Sequence, residues 1–131
     1  MSQSVKKRAD VVYQDFMVRA TYKWLLARAI RETIKYNQSY LSRKIGYHVS
    51  VINTYENGGK ISKASEKDIL DFLSEINFTK YSDNRTDDFI IYTVRVMSDY
   101  LYLCHDWHYH EDDEMCKKLM SKNMSMLCFE E

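Results

Sequence analysis

"NQSYLSRKIGYHVSVINTYENGG", Asn37 to Gly59, holds all three glycines of a 131-residue chain that contains no proline. Glycine and proline are the strongest breakers of regular structure, so outside this stretch the sequence offers few turn signals and predicts helices. Asn37 is placed to cap a short helix through Lys44, and Gly46 supplies the residue that takes positive φ and ends it. A second short helix is expected from about Val49 to Asn57, stopped by Gly58-Gly59. Two such helices meet at a steep angle only where a small residue sits at their approach and a glycine in their turn, and Ser42 and Gly46 meet both demands. Leu41, Ile45, Val51 or Ile52, and Tyr55 then face inward, leaving His48, Val49, Ser50, Asn53 and Thr54 as a short uncharged row on the outer side.

Upstream, Val5, Ala9, Val12, Phe16, Ala20, Trp24, Ala27, Ile30 and Ile34 recur every three or four residues, a helical stripe. Thr21 as a cap before Tyr22 predicts two helices there. Downstream, Ser65 with Asp68 resembles a capping box opening a helix with the stripe Ile69, Phe72, Leu73 and Ile76. The polar run Thr79 to Asp88 is the expected boundary. Beyond it, "FIIYTVRVM" is rich in β-branched and aromatic residues. Ile90, Val94, Met97, Leu101 and Cys104 nevertheless keep helical spacing, and a helix puts Asp99 and Asp106 off the stripe. A last helix is expected from about Asp112 to Phe129, using Met115, Leu119, Met120, Met126 and Leu127.

Hydrophobic residues make up 45% and charged residues 29%, which excludes wholesale disorder and fibrous repeats. No run approaches the roughly 18 to 20 apolar residues of a membrane span, and the N-terminus lacks the apolar core of a secretory signal, so a cytoplasmic location without membrane contact is expected. Three cysteines, an odd number, point to reduced thiols. The net charge of zero divides unevenly: residues 1–60 carry eleven Lys or Arg against four Asp or Glu, a net of +7, and residues 61–131 balance it at −7. Such asymmetry suggests that the first part meets a polyanion, the alternative being two differently charged solvated faces.

Residues 28 to 60, through Q-x-x-L-S-x-x-I-G-x-x-x-x-x-I-x-x-Y-E-N-G (Gln38 to Gly58, without a gap), resemble the phage-repressor type of helix-turn-helix, the XRE (Cro/C1) family. The resemblance implies an all-α, lambda-repressor-like domain over 21–79; it does not account for the N-terminal helical extension (1–20) or for the C-terminal helical segment (80–131), whose aromatic and methionine-rich stripes are expected to dimerise, to bind a partner or to fold back on the chain's own domain. It implies that His48, Val49, Ser50, Asn53 and Thr54 read base edges and that Gln38, Lys44, Asn57 and Lys60 meet phosphates. It also implies that Arg31 and Glu56 form a partly buried ion pair tying the two ends of the unit together. Besides those extensions there are two departures: His48 replaces the usual serine or threonine cap, and Tyr47 and Tyr55 replace aliphatic residues, leaving a larger core or a hydroxyl at its edge.

The function implied is a dimeric repressor on a two-fold double-stranded DNA operator. The alternative is an antitoxin or phage-encoded inhibitor whose C-terminal segment captures a protein and whose DNA binding is autoregulatory. No phosphate-cradling glycine loop, nucleophile elbow or catalytic acid pair is present, so neither an enzyme nor a cofactor is expected. "CHDWHYHEDDEMC" (Cys104 to Cys116) raises zinc binding by Cys104, His108, His110 and Cys116 if a helix sets the first two four apart. Absence of any C-x₂-C spacing favours no metal, with the imidazoles and acids at a solvated helix end.

Overall fold

A computed structural model describes the backbone of residues 2–81 and 86–128, and side chains for 8–75 and 88–128. The described residues form seven helices and no strand: α1 (Ser2–Arg19), α2 (Lys23–Thr33), α3 (Gln38–Ile45), α4 (Val49–Glu56), α5 (Lys63–Tyr81), α6 (Thr86–Asp106) and α7 (Asp113–Cys128). The protein is all-α. None of these helices is long and apolar enough to cross a membrane. Val5, Ile76, Phe129 and the centre of the expected boundary, 82–85, lie outside the described side chains or backbone.

The β-branched run of "FIIYTVRVM" is helical because its apolar residues fill two sides of a helix in a crowded interior. Phe89, Ile90, Tyr92, Thr93, Val96, Met97, Tyr100, Leu103 and Cys104 are all buried in α6. Packing of this kind overrides a weak β preference. Helix α6 is the spine: α1, α2, α5 and α7 all lie against it. Ring contacts mark the seam with α1, where Tyr13 meets Phe89 edge-on at 5.9 Å and Phe16 meets Tyr100 at 5.5 Å. One hydrophobic cluster runs from Ala9 through Leu25, Ile52 and Leu73 to Leu119, so the segments 1–20, 21–79 and 80–131 share a core.

The break between α1 and α2 is made by polar side chains. Lys23 Nζ donates to the carbonyls of Met17, Val18 and Ala20 at 2.7, 3.0 and 2.7 Å, satisfying acceptors that α1 leaves open at its end. Burial holds that ammonium below its ordinary pKa. Thr21, expected as a cap, does something else: its N–H and hydroxyl donate to the Asp112 carboxylate at 2.8 and 2.7 Å, and Tyr22 stands at the N-cap without a side-chain capping bond, its hydroxyl donating instead to Glu111. The Tyr100 hydroxyl donates to the same carboxylate at 2.6 Å, so Asp112 joins α2, α6 and α7.

Four helices end alike, in a left-handed residue whose neighbours' N–H groups reach back to the last turn. Gly46 (φ 90°) and Gly58 (φ 81°) end α3 and α4, whereas Lys35 (φ 68°) and His108 (φ 63°) take the position after α2 and α6. In the last case Tyr109 N donates to Cys104 O at 2.7 Å and His108 N to His105 O at 3.0 Å. Helix α5 starts earlier than the expected capping box: Ser62 Oγ accepts from Ser65 N at 3.0 Å, and the helix begins at Lys63. Asp68, no longer needed for a cap, accepts the Tyr47 hydroxyl at 2.5 Å.

Candidate nucleic-acid interface

Helices α3 and α4 are joined by Gly46, Tyr47 and His48. Asn37 Oδ1 accepts from Tyr40 N at 2.7 Å and starts α3. Buried Ser42 bonds the Ser39 carbonyl through its hydroxyl at 2.8 Å, and its own carbonyl accepts from Gly46 N and Tyr47 N at 2.9 and 3.0 Å. The chain thus reverses on a small side chain and a left-handed glycine, and α4 departs across α3.

His48 is the cap of α4. Its Nδ1 accepts from Ser50 N at 3.1 Å with Ser50 Oγ 2.9 Å away, so the imidazole satisfies the donor that serine or threonine satisfies in the family pattern. In the neutral ring the proton then sits on Nε2, which leaves a donor directed away from the helix end. The departure from the pattern is one of residue type, with the same physical job done.

The inner side of α4 is Ile52, Tyr55 and Glu56, all buried; Val51 and Val49 are half-buried, and His48, Ser50, Asn53 and Thr54 are exposed. The inner side is fixed by charge as well as by packing. Glu56 accepts from Arg31 Nε at 2.6 Å and Nη2 at 2.8 Å in a bidentate pair, and from Gln38 Nε2 at 2.9 Å. Arg31 also donates from Nη1 to the Tyr36 carbonyl at 2.7 Å. Three side chains from α2, α3 and α4, with the Tyr36 carbonyl between α2 and α3, therefore set the tilt of the outer row, a role in which buried pairs are better attested than in raw stabilisation. Gln38 is spent on this brace through its amide N–H, leaving its carbonyl and its helix-start backbone toward solvent.

Tyr55 is buried and Tyr47 half-buried, and both deliver their hydroxyls to acids of α5: Tyr55 donates to Glu66 at 2.6 Å, as Tyr47 does to Asp68. Burial, and after it the Glu66 carboxylate, hold the Tyr55 phenol well above its ordinary pKa. At the far end of α4, Asn57 Nδ2 donates to Asn53 O at 2.8 Å and contacts Asn53 Oδ1 at 3.2 Å. This orients the Asn53 amide with Nδ2 free to donate. A Cβ on Gly59 would lie 2.6 Å from the Thr54 methyl carbon, so only glycine lets the chain pass behind Thr54.

Between these elements lies a polar hollow of about 230 Å³, lined by Arg28, Arg31, Gln38, Asn53, Glu56 and Asn57. Arg28, which the motif did not single out, reaches it while bound to Glu32 at 3.0 Å. Lys44 and Lys60 are exposed. Arg43 and Lys44 lie 5.9 and 5.3 Å from the Tyr40 ring centre, which holds two cations at the end of α3. Arg43 and Tyr40 carried no mark in the sequence beyond charge and ring.

The four residues Cys104, His108, His110 and Cys116 are not brought together. Cys104 and Cys116 are buried core thiols, and burial pushes them up to about 11 and about 12, while His108 and His110 are exposed. Helical spacing would align Cys104 with His108 only if α6 continued, but it ends at Asp106 and the chain reverses at His108. Comparison with family models, curated proteins and solved structures returns no match for this chain.

Proposed function

We propose that the protein is a sequence-specific double-stranded DNA-binding transcription regulator of the phage-repressor helix-turn-helix type, a dimeric repressor reading the major groove with residues 48–57. The observation that carries this is the division of α4: an exposed row of hydrogen-bonding side chains without acids, backed by a buried side clamped through Glu56 to α2 and α3. Asn53 pairs bidentately with adenine; Val49 meets a thymine methyl; Thr54, and Ser50 within its bond to His48, serve either partner. His48 Nε2–H donates to a phosphate or base acceptor. The hollow beside Arg28, Gln38 and Asn57 seats a phosphate, and Lys44 and Lys60 extend the cationic track. Two copies related by a two-fold axis set their α4 helices about 34 Å apart.

Ile91, Tyr102 and Met124 are 47%, 73% and 50% exposed on α6 and α7, and they form the proposed dimer surface. The same three residues favour the second reading, a C-terminal face that captures a protein while DNA binding is autoregulatory. Sedimentation of the purified chain separates the two: a dimer abolished by Tyr102→Glu supports the first, and a monomer the second.

Selection of duplexes from a random pool, followed by anisotropy titration across salt concentrations, tests the DNA reading. Affinity falls with salt by about 0.9 log units per log unit for each phosphate neutralised. Lys44→Ala lowers that slope by about 1 and weakens all duplexes alike, whereas Asn53→Ala costs about 1–3 kcal/mol at one base position. No enriched duplex, or binding indifferent to salt, overturns the proposal.

A further inference from the structure

The α6–α7 corner brings three metal-binding side chains together that the sequence spacing did not pair. His105 stands in the last turn of α6, His110 follows the reversal at His108, and Asp113 opens α7. His105 Nε2 faces both oxygens of Asp113, at 3.0 Å from Oδ1 and 3.1 Å from Oδ2. His110 Nδ1 lies 4.0 Å from Asp113 Oδ2, and the two imidazole rings meet edge-on at 4.9 Å between centres. One donor atom from each residue falls within 4.8 Å of the others.

We infer that His105, His110 and Asp113 form a binding site for a single divalent cation of the zinc class, with two imidazole nitrogens and one carboxylate as ligands. Bonds of about 2.0–2.1 Å to a tetrahedral ion set neighbouring donors roughly 3.3 Å apart, so the observed separations close onto an ion by side-chain rotation alone. Two imidazoles select borderline metals such as Zn²⁺, Co²⁺, Ni²⁺ or Cu²⁺ over Mg²⁺ and Ca²⁺, which take oxygen ligands. Both histidine side chains are more than half exposed, at 53% and 59%, against 24% for Asp113, so the ion enters from solvent and keeps at least one position open to it.

The backbone under the site is fixed by groups that the site does not use. Asp112 is held by Thr21 and Tyr100, and Tyr109 stacks on Tyr22 at 4.2 Å between ring centres. Ligands carried on an already rigid corner lose little freedom on binding, which favours affinity. Trp107 meets Trp24 edge-on at 4.9 Å, and the Trp24 ring lies 3.2 Å from the Cβ position of Gly58, the residue that ends α4.

Tag-free protein, stripped with chelator and titrated with Co²⁺ and Zn²⁺, tests the site. One Co²⁺ per chain is expected, with visible d–d absorption that is lost as Zn²⁺ displaces it, and diamagnetic Zn²⁺ shifts the ring NMR signals of His105 and His110 more than those of His108 and His48. His110→Ala, His105→Ala and Asp113→Asn each weaken binding by about 100-fold or more, beyond the roughly 10- to 100-fold cost of removing an outer-shell partner. His108→Ala, on the same loop, leaves it unchanged. Absence of saturable Co²⁺ or Zn²⁺ binding, or binding that survives His110→Ala, overturns the assignment. Far-UV circular dichroism of each variant excludes loss of fold, which these exposed positions are not expected to cause.

Discussion

Replacing Glu56 by alanine removes the acceptor of three hydrogen bonds and leaves Arg31, a residue 9% exposed, with the Tyr36 carbonyl and a Glu32 oxygen 3.8 Å away. Breaking a buried pair from one side costs about 3–5 kcal/mol, and the remaining Glu32 contact sets the expected value near the lower end, about 3 kcal/mol. For a chain of this length each kcal/mol moves Tm by roughly 3–5 °C, so Glu56→Ala lowers Tm by about 10–15 °C. Arg31→Met combined with Glu56→Leu removes both charges and fills the space, and returns stability to within about 1 kcal/mol of the parent. Urea denaturation followed by circular dichroism of Glu56→Ala, and of Arg31→Met, Glu56→Leu and their combination as a double-mutant cycle, gives all these free energies. A loss below about 1 kcal/mol for Glu56→Ala, or a double variant as unstable as the sum of the single ones, would refute a desolvated pair. The double variant separates two roles as well: restored stability with weakened DNA binding shows a pair that orients α4 more than it holds the fold.

Asn123 is fully buried in α7 and neither end of its amide finds a partner among the described residues, so Asn123→Ala is expected to stabilise the protein by about 1 kcal/mol where most buried truncations destabilise; a loss in urea denaturation refutes this. His108→Gly and Lys35→Gly relieve side chains held at φ 63° and 68° and are each expected to add about 0.5–1 kcal/mol, while Gly46→Ala at φ 90° removes about 1 kcal/mol, all read from urea midpoints. Burial, and after it the Asp112 charge, raise the Cys116 thiol from 9.0 to about 12, so the unfolded chain ionises first. Its stabilising contribution is complete below pH 9 and falls, by at most about 1.4 kcal/mol per pH unit, as pH rises toward about 12. In chelator-containing buffer, Cys116→Ala is expected to flatten this alkaline limb, and an unchanged slope would exclude the thiol.

Helix type was legible wherever apolar residues recur at 3.6-residue spacing, α6 included, because a nine-residue buried face outweighs β-branching. The short helices from Asn37 to Gly59 were legible for a second reason, since their cap and stops use the residue types that favour those positions. Lys35 and His108 hid two equivalent helix ends, because nothing in a lysine or histidine announces positive φ. Missing the stop at His108 is what aligned Cys104 with His108 on paper and concealed His105 beside His110. Long-range polar bonds were invisible for a different reason. Thr21 looks like a cap by its neighbours, and only folding brings Asp112 to it from 91 residues away. Asp68 likewise looks like half of a capping box by its neighbours, and only folding brings the Tyr47 hydroxyl to it.

The Asp112 junction bears on how this chain folds as it is made. The first helix leaves the ribosome long before α6 and α7, the helices that cover it, and synthesis at about 5–20 residues per second leaves Phe16, Ala20 and Leu25 uncovered for seconds. Until Asp112 emerges, Thr21 and Tyr22 have no lock. A nascent chain stalled before that residue is expected to bind chaperones and resist compaction, and release of the rest to complete the molecule in one cooperative step.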